Sequence, residues 1–161
     1  MFATTNRLNR IIWILPLIVL VTLFSLDLLV KEIVVRHAYE LPLLVMSFFG
    51  KVDLWIDLVY NKGAAWGTFA EYQKILFVFR CLIVAVVVYL FYKAADLQRK
   101  TAFACVLAGA FGNIYDTCVH GKVIDMIHFI FLGQSYGIFN LADLSIFIGV
   151  ALLMLSKKPC P

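Results

Sequence analysis

Carboxylate and amide side chains are concentrated in one apolar stretch of the chain, residues 112–143. A carboxylate at bilayer depth is energetically costly, so such groups usually face a protein interior or a wet cavity and serve a function. The alternative interpretation of any one of them is structural, because buried polar residues also join membrane helices by hydrogen bonds. Several in one short stretch favour a functional site. They are Asn113, Asp116, Asp125, Asn140 and Asp143.

The spacing of these residues groups them. Asn113 and Asp116 are three residues apart, and so are Asn140 and Asp143, so that on helices each pair shares one face. Asp125 lies between the two pairs. The sequence therefore predicts one polar site made by two helices and a third carboxylate between them.

Two carboxylates that share a proton around one water molecule can hydrolyse a peptide bond. One acts as the base on the water, and the other, protonated, polarises the scissile carbonyl group. Like charges at hydrogen-bond distance cannot both ionise, which leaves one acid and one base near neutral pH.

Other catalytic arrangements have less support in the sequence. The chain has neither the H-E-x-x-H pattern of zinc peptidases nor the G-x-S-x-G pattern of serine hydrolases, and nothing around Ser145 marks a nucleophile. His128 lies three residues after Asp125, with His120 nearby, but their spacing is not that of metal ligands. No metal and no cofactor are expected.

The elements that hold this site must lie in a membrane. The chain has 161 residues, of which 63% are hydrophobic and 15% charged, and its mean hydropathy is +0.94. Soluble domains average about 25% charged and 45–50% apolar residues. We expect one integral membrane domain over residues 1–161, with membrane lipids around it and no nucleic-acid partner, because the net charge of +4 follows membrane topology.

Four stretches are predicted to cross the bilayer, since about 20 apolar residues span its core. The first resembles a signal peptide, but its long core and lack of a small-residue cleavage site predict an uncleaved helix. The spans are residues 11–30, 75–92, 101–119 and 139–156. Basic residues in the three short flanking segments then fall on one side, which predicts cytoplasmic termini and an extracytoplasmic segment at residues 32–73. These are Arg7, Arg10, Lys93, Arg99, Lys100, Lys157 and Lys158.

The segment between the first two spans is predicted to form a small antiparallel sheet. Polar and apolar residues alternate over residues 52–60, which is the period of a strand. Residues 41–49 are its partner across a turn at Gly50-Lys51. The fold class is therefore an all-α membrane protein with four transmembrane helices and an extracytoplasmic sheet between helices 1 and 2. Its aromatic residues suit the membrane interface: Trp55, Tyr60 and Trp66.

Charged and small residues inside the spans allow further predictions. For Arg80, one or two turns inside the second span, snorkelling to the outer interface is favoured over facing a polar site. Asp27 and Lys31 are four residues apart, within pairing reach, so that an interfacial ion pair and a direct role for Asp27 are both open. The small residues at 108–112 predict close helix packing. Asn140 lies near the start of the fourth span and is predicted to cap that helix.

At these residues the sequence resembles the bacterial lipoprotein signal peptidases (signal peptidase II). Each block that carries the resemblance is weak alone, but five in order on a four-span chain are specific. The blocks are Asp27-Leu-Leu-Val-Lys31, Asn61-Lys-Gly63-Ala-Ala-Trp66, Gly112-Asn113-Ile-Tyr-Asp116, His120-Gly121-Lys-Val-Ile-Asp125 and Phe139-Asn140-Leu-Ala142-Asp143.

The resemblance implies a membrane aspartic endopeptidase of the bacterial cytoplasmic membrane, with Asp125 and Asp143 as the catalytic dyad. It implies that the substrate is a diacylglyceryl-modified prolipoprotein, cut on the amino side of the lipidated cysteine and held in the sheet as a cradle. We expect a monomer. The resemblance also implies supporting or substrate-binding roles for Asp27, Lys31, Asn61, Gly63, Asn113, Asp116 and Asn140.

The sequence departs from the family pattern at three positions. Thr117 stands where the family usually has Arg, Val30 where Thr or Ser is usual, and His128 where an acidic residue is common. An Arg at position 117 would pair with a carboxylate, so that its loss puts this supporting contact in question and leaves the dyad intact.

Two functions of other classes were compared with the peptidase. A small proton-coupled transporter or channel subunit would use the carboxylates as a relay, but a relay places ionisable residues at several depths, whereas these cluster near one edge. A structural membrane subunit would leave the Asn61–Trp66 block and the sheet unexplained.

Overall fold

The computed structural model describes residues 2–63 and 68–156, and contains four α-helices within those ranges. Short 3₁₀ turns precede the sheet and α2. The helices are α1 (Phe2–Arg36), α2 (Gln73–Lys93), α3 (Leu97–His120) and α4 (Leu141–Leu155). Among the described residues, α1 from Ile11, α2 and α3 are long and apolar enough to cross a membrane. The chain is thus a helical membrane protein with three candidate spans and one shorter apolar helix.

The helices follow the predicted spans, with one difference at the fourth. The predicted spans 11–30, 75–92 and 101–119 lie inside α1, α2 and α3. By contrast, α4 has 15 residues and begins at Leu141, because Asn140 caps its first turn. It is about 22 Å long against a hydrocarbon core of about 30 Å. Lys157 and Lys158 lie outside the described residues.

The sheet has four antiparallel strands, not the two predicted. Its strands are β1 (Leu43–Phe48), β2 (Val52–Asn61), β3 (Val123–Phe131) and β4 (Gln134–Phe139), in that spatial order. The β1–β2 hairpin confirms the predicted strand pair, with Gly50 at a positive φ of 63° in its turn.

The location of the sheet in the chain corrects the prediction, because β3 and β4 come from between α3 and α4. Strand β3 was missed because its first four residues are all buried, so that the sequence shows no alternation of polar and apolar residues. Its pairing with β2 brings Asp125 beside Val59 and Val123 beside Asn61. The sheet therefore brings Asn61, which precedes α2 in the chain, close to Asp125, which follows α3. Trp66 lies outside the described residues.

Helix α3 lies at the centre of the bundle and contacts the other three helices. Small residues permit its close approach to α4: a Cβ at Gly109 would collide with the Ala142 carbonyl oxygen, and one at Gly149 would lie 2.6 Å from the Ala102 carbonyl oxygen. The packing predicted for the small residues of the third span is confirmed.

Large apolar side chains cover the outward faces of the other helices. Ile18 and Val21 on α1, Leu82 on α2 and Phe147 on α4 are all more than half exposed. An exposed apolar surface of this extent is unusual for a protein surrounded by water and suits one surrounded by lipid.

Candidate active site

Asp125 and Asp143 face one cavity of about 450 Å³. Asp125 lies on β3 and is 3% exposed, whereas Asp143 lies in the first turn of α4. The sheet and three helices all contribute to the walls. The other lining residues are Asn61, Arg80, Asn113, Val123, Tyr136, Gly137, Ile138 and Phe139.

The start of α4 fixes the position of Asp143. The side chain of Asn140 accepts a hydrogen bond from the Asp143 backbone N–H at 2.8 Å, and the Asp143 carboxylate accepts one from the Asn140 N–H at 3.4 Å. This capping box confirms the predicted cap. It holds the Asp143 carboxylate at a helix N-terminus, where the helix dipole favours an anion.

Two amides connect the carboxylates. Asn140 Nδ2 donates to Asp125 Oδ1 at 2.7 Å and to Asn113 Oδ1 at 3.1 Å. Asn113 Nδ2 in turn donates to Asp143 Oδ1 at 2.8 Å. Asn140 is 0% exposed and also reaches the Ile124 carbonyl oxygen at 3.1 Å. The chain Asp125–Asn140–Asn113–Asp143 therefore brings together four of the five polar residues of the 112–143 stretch.

The surroundings of Asp125 favour its protonated form. Burial raises the pKa of Asp125 to about 6, and the negative charge of Asp143 acts in the same direction. The hydrogen bonds from Asn61 and Asn140, and the charge of Lys31, oppose the rise only in part. Asn61 Nδ2 lies 3.1 Å from Asp125 Oδ2. A carboxyl group with this pKa can give and take a proton near neutral pH.

Asp27, Lys31 and Asp116 form a separate group, here called the ion cluster. Lys31 Nζ lies 2.6 Å from Asp27 Oδ2 and 2.8 Å from Asp116 Oδ2, and all three residues are no more than 2% exposed. The Asp27–Lys31 pair, one of the two alternatives that the sequence left open, exists and is buried among α1, α3 and α4. The 3.5 Å contact from Lys31 Nζ to Asn113 Oδ1 connects the cluster with the cavity residues.

The ion cluster also joins four elements of the fold. The Ala142 N–H at the start of α4 donates to Asp27 Oδ1 at 2.8 Å, and the Ile124 N–H of β3 donates to Asp116 Oδ2 at 3.1 Å. A Cβ at Gly112 would collide with Asp27 Oδ2, so that α1 and α3 can approach only with glycine there. The cluster holds the elements that carry Asp125 and Asp143.

Arg80 was assigned wrongly from the sequence. Its side chain lines the cavity: its Nη2 donates to the Gly63 carbonyl oxygen at 2.7 Å and its Nη1 to Thr117 Oγ1 at 3.4 Å. The sequence feature that could have indicated this contact is Thr117, which stands where the family pattern has Arg and which Arg80 contacts. Tyr136 and Gly137 carried no such signal, because β4 was not predicted.

His128 lies on the sheet and outside the lining of the cavity. Its Nδ1 is 3.5 Å from Asp57 Oδ2, and its Nε2 is 2.8 Å from Ser135 Oγ. Over the described residues, no group of three or more His, Cys, Asp or Glu side chains is arranged to hold a metal ion.

The fold and this site define a helical membrane protein in which a buried carboxylate, Asp125, and a half-buried one, Asp143, line one cavity. A family model described as signal peptidase (SPase) II matches residues 18–157. The chain is 36% identical to the lipoprotein signal peptidase of Chlamydia trachomatis serovar L2 over 143 residues, 84% of this chain and 86% of that protein. It is 33% identical to the lipoprotein signal peptidase of Chlamydia pneumoniae over 145 residues, 88% and 80% of the two chains.

Solved structures agree with these relatives. A bacterial membrane enzyme solved by the in meso method at 2.3 Å resolution superposes with a TM-score of 0.73 at 28% identity, covering 92% of this chain and 95% of that one. A second, at 1.9 Å resolution, gives a TM-score of 0.72 at the same identity. The chain belongs to the signal peptidase II family. It is accordingly a membrane peptidase, and membership supports removal of signal peptides from prolipoproteins as its activity.

Proposed function

We propose that the protein is an aspartic endopeptidase of the bacterial cytoplasmic membrane that cuts diacylglyceryl-modified prolipoproteins on the amino side of the lipidated cysteine. The observation that carries the proposal is the pair Asp125 and Asp143, which come from different elements, are connected through Asn140 and Asn113, and open on one cavity. Membership of the signal peptidase II family supports the substrate class.

The surroundings of the two carboxylates suggest their roles. Asp143, at a helix N-terminus, is the base, and Asp125, whose pKa is raised to about 6, is the protonated acid. Asp143 takes a proton from a water molecule while the oxygen atom of that water bonds to the scissile carbon. At the same time Asp125 protonates the carbonyl oxygen. Asp143 then passes its proton to the amide nitrogen as the C–N bond breaks, and Asp125 recovers a proton from the hydroxyl group. Both carboxyl groups return to their starting states.

An apolar pocket next to the cavity suits a signal peptide. It has a volume of about 180 Å³ and shares Arg80 and Asn113 with the cavity. The remaining lining is apolar and comes from α2, α3 and α4: Ile83, Val84, Ala110, Ile114 and Ile146. A peptide whose apolar residues occupy this pocket would have its polar backbone beside the two carboxylates.

The decisive experiment uses purified protein in detergent or lipid with two precursors, one carrying diacylglycerol on its cysteine and one unmodified. We expect release of the signal peptide from the modified precursor only, with the lipidated cysteine as the new N-terminal residue by mass spectrometry. Equal cleavage of the unmodified precursor would refute the proposed substrate, and cleavage at another bond would refute the proposed site. A chelator should leave the rate unchanged.

We further propose that the chain crosses the membrane four times with both termini in the cytoplasm and residues 32–73 outside. The distribution of Lys and Arg supports this orientation. In a variant lacking Cys81, Cys105 and Cys118, an impermeant thiol reagent added to intact cells should label Asp53→Cys and leave Cys160 unlabelled. Labelling of both positions from the same side would contradict the orientation.

The contact of His128 with Ser135 and Asp57 resembles the order of groups in a serine hydrolase, which makes it the second mechanism to test. The three residues are absent from the lining of the cavity, so we expect Ser135→Ala to retain full turnover. Loss of cleavage in Ser135→Ala, or inactivation by a serine-reactive fluorophosphonate, would favour the serine mechanism.

A further inference from the structure

Arg80 is the one basic residue among the described residues that line the cavity of Asp125 and Asp143. It lies on α2, about 10 Å from the first residue of that helix along its axis. Neither carboxylate needs it in the mechanism above. Its position inside an apolar helix, half-buried, therefore calls for another role.

One side of the guanidinium leads to Asp125 by three hydrogen bonds. Arg80 Nη2 donates to the Gly63 carbonyl oxygen at 2.7 Å. The Gly63 N–H donates to Asn61 Oδ1 at 2.9 Å, and Asn61 Nδ2 donates to Asp125 Oδ2 at 3.1 Å. The Asn61 side chain is thus fixed at both its oxygen and its nitrogen, and Arg80 holds the backbone to which it is attached.

The other side leads to Asp143. Arg80 Nη1 lies 3.4 Å from Thr117 Oγ1, whose hydroxyl group donates to the Asn113 carbonyl oxygen at 2.9 Å. The Thr117 oxygen can accept from Arg80 because its own proton is directed to Asn113. Asn113 is the residue whose amide donates to Asp143 Oδ1 at 2.8 Å. One guanidinium therefore contacts the supports of both carboxylates.

We propose that Arg80 is a positioning residue of the peptidase, which holds the Asn61–Gly63 segment and the Asn113 turn of α3 so that Asp125 and Asp143 keep their relative geometry and shared proton. The proposal rests on the function proposed above. Arg suits this role because its planar group donates in two directions from one rigid plane and stays charged at every working pH.

The charged groups around Asp125 indicate how the loss of Arg80 would be detected. They are Asp143 on α4 and Lys31 on α1, with Arg80 of α2 in the lining of the same cavity, and Lys31 is already paired with Asp27 and Asp116. Without Arg80 the Asn61 hydrogen bond to Asp125 weakens and one positive charge leaves the cavity. Both changes favour the protonated form of Asp125, so the pH at which kcat/KM declines should move upward.

The test compares Arg80→Met, Arg80→Lys and Thr117→Val with Lys74→Met, which removes an exposed basic residue from the same helix. We expect Arg80→Met to lower kcat by about tenfold to a hundredfold, because it removes hydrogen bonds from a charged donor. It should also move the alkaline limb of kcat/KM to higher pH. Arg80→Lys should recover part of the rate, since an ammonium group lacks the fork, and Thr117→Val should lose a few-fold. Lys74→Met should behave as the parent enzyme.

The outcomes separate this inference from the proposed function. A merely structural role of Arg80 would reduce the yield of folded protein and leave the pH profile and kcat of the folded fraction unchanged. Such a result, or an Arg80→Met enzyme equal to Lys74→Met, would overturn the inference. If Asp125→Asn, assayed in parallel, retained turnover, the aspartic mechanism itself would fail.

Discussion

The cavity and the ion cluster contain the same kind of side chain in contrasting surroundings. In the ion cluster, Lys31 lies within 2.8 Å of both Asp27 and Asp116. At the cavity, Asp125 and Asp143 instead receive hydrogen bonds from amides, and no Lys or Arg of the described residues makes an ion pair with either.

This difference in neighbours distinguishes the structural role of the ion cluster from the chemical role that we propose for the cavity pair. A buried ammonium group in direct contact with two carboxylates connects the elements that carry them, and its removal would leave both carboxylates without a counter-charge. An amide donates hydrogen bonds without requiring the carboxylate to be charged, and a proton can still move on and off Asp125. The protein contains two aspartate pairs, and the difference in their neighbours is the reason why we propose the cavity pair, and not the ion cluster, as acid and base.

The largest effect on turnover is expected from substitutions that break the cavity pair. Asp125→Asn and Asp143→Asn should each reduce turnover by about a thousandfold or more, because an amide keeps the shape of the carboxyl group but cannot exchange the proton. The double variant should be no worse than either single one, since the two act as a unit. Cleavage of a diacylated precursor by detergent-purified protein measures this.

Two controls accompany these variants. Asp53→Asn changes a half-buried sheet carboxylate that is bonded to Ser47 and lies outside the cavity lining, and it should keep the parent rate. Asp116→Asn, in the ion cluster, should lower turnover less than either cavity variant. The dyad would be falsified if a homogeneous, folded Asp125→Asn or Asp143→Asn enzyme kept near-normal turnover.

The second largest effect, on stability, is expected from a substitution that breaks the ion cluster. Lys31→Met leaves Asp27 and Asp116 buried without a counter-charge, which should lower the free energy of unfolding by about 3–5 kcal/mol. The triple variant Asp27→Asn, Lys31→Met, Asp116→Asn removes all three charges and should recover much of the loss. Thermal unfolding in detergent measures both. An unchanged melting temperature for Lys31→Met would show that the cluster is not a structural connection.

The third effect concerns the protonation of Asp125. Its pKa is raised above the unfolded value of 3.8 to about 6, so the folded enzyme loses the acidic proton as the pH rises through that value. The kcat/KM of the free enzyme should therefore decline above about pH 6, and the limb belongs to the coupled pair. A profile without a limb in this region would contradict the assignment of Asp125 as the acid.

The same shift has a consequence for stability. A carboxyl group whose pKa is higher in the folded state favours folding less once it ionises, so that the parent protein loses this stability as the pH rises from about 3.8 to about 6. Asp125→Asn cannot ionise. Thermal unfolding should show it melting at a higher temperature than the parent protein above about pH 6, and at nearly the same temperature below about pH 3.8, where the parent carboxyl group is protonated in both states.

The sequence predicted those features that depend on neighbours along the chain. The spans followed from the length of apolar stretches, and the β1–β2 hairpin from alternation and a Gly50 turn. Asn140 was recognisable as a helix cap because capping is decided within four residues. The roles of Asp125 and Asp143 stay predictions, although the structure brings both to one cavity.

Features that depend on packing of distant elements were missed. Strand β3 pairs with β2, from which α2 and α3 separate it in the sequence, and β4 pairs with β3; burial also hides the alternation of β3. Arg80 contacts Gly63 and Thr117, which lie 17 and 37 residues away. A single sequence gives no information about which face of α2 meets α3, so the position of Arg80 near a helix end favoured snorkelling over contact with the site.

The smallest expected effect distinguishes neighbouring residues beside the cavity. Lys62 is exposed, whereas Asn61 donates to Asp125 Oδ2 and Gly63 is buried between the Asn61 and Arg80 contacts. Lys62→Ala should therefore change turnover by less than about twofold, and Asn61→Ala should lower it about tenfold or more, the effect of one hydrogen bond to a charged group. Gly63→Ala should resemble Asn61→Ala, because its added methyl group lies in a buried segment. Cleavage assays in membranes at matched enzyme amounts measure the order of these losses in turnover. A Lys62→Ala enzyme as inactive as Asn61→Ala would contradict the prediction, because it would show that the whole segment, and not its contacts with Asp125 and Arg80, controls the site.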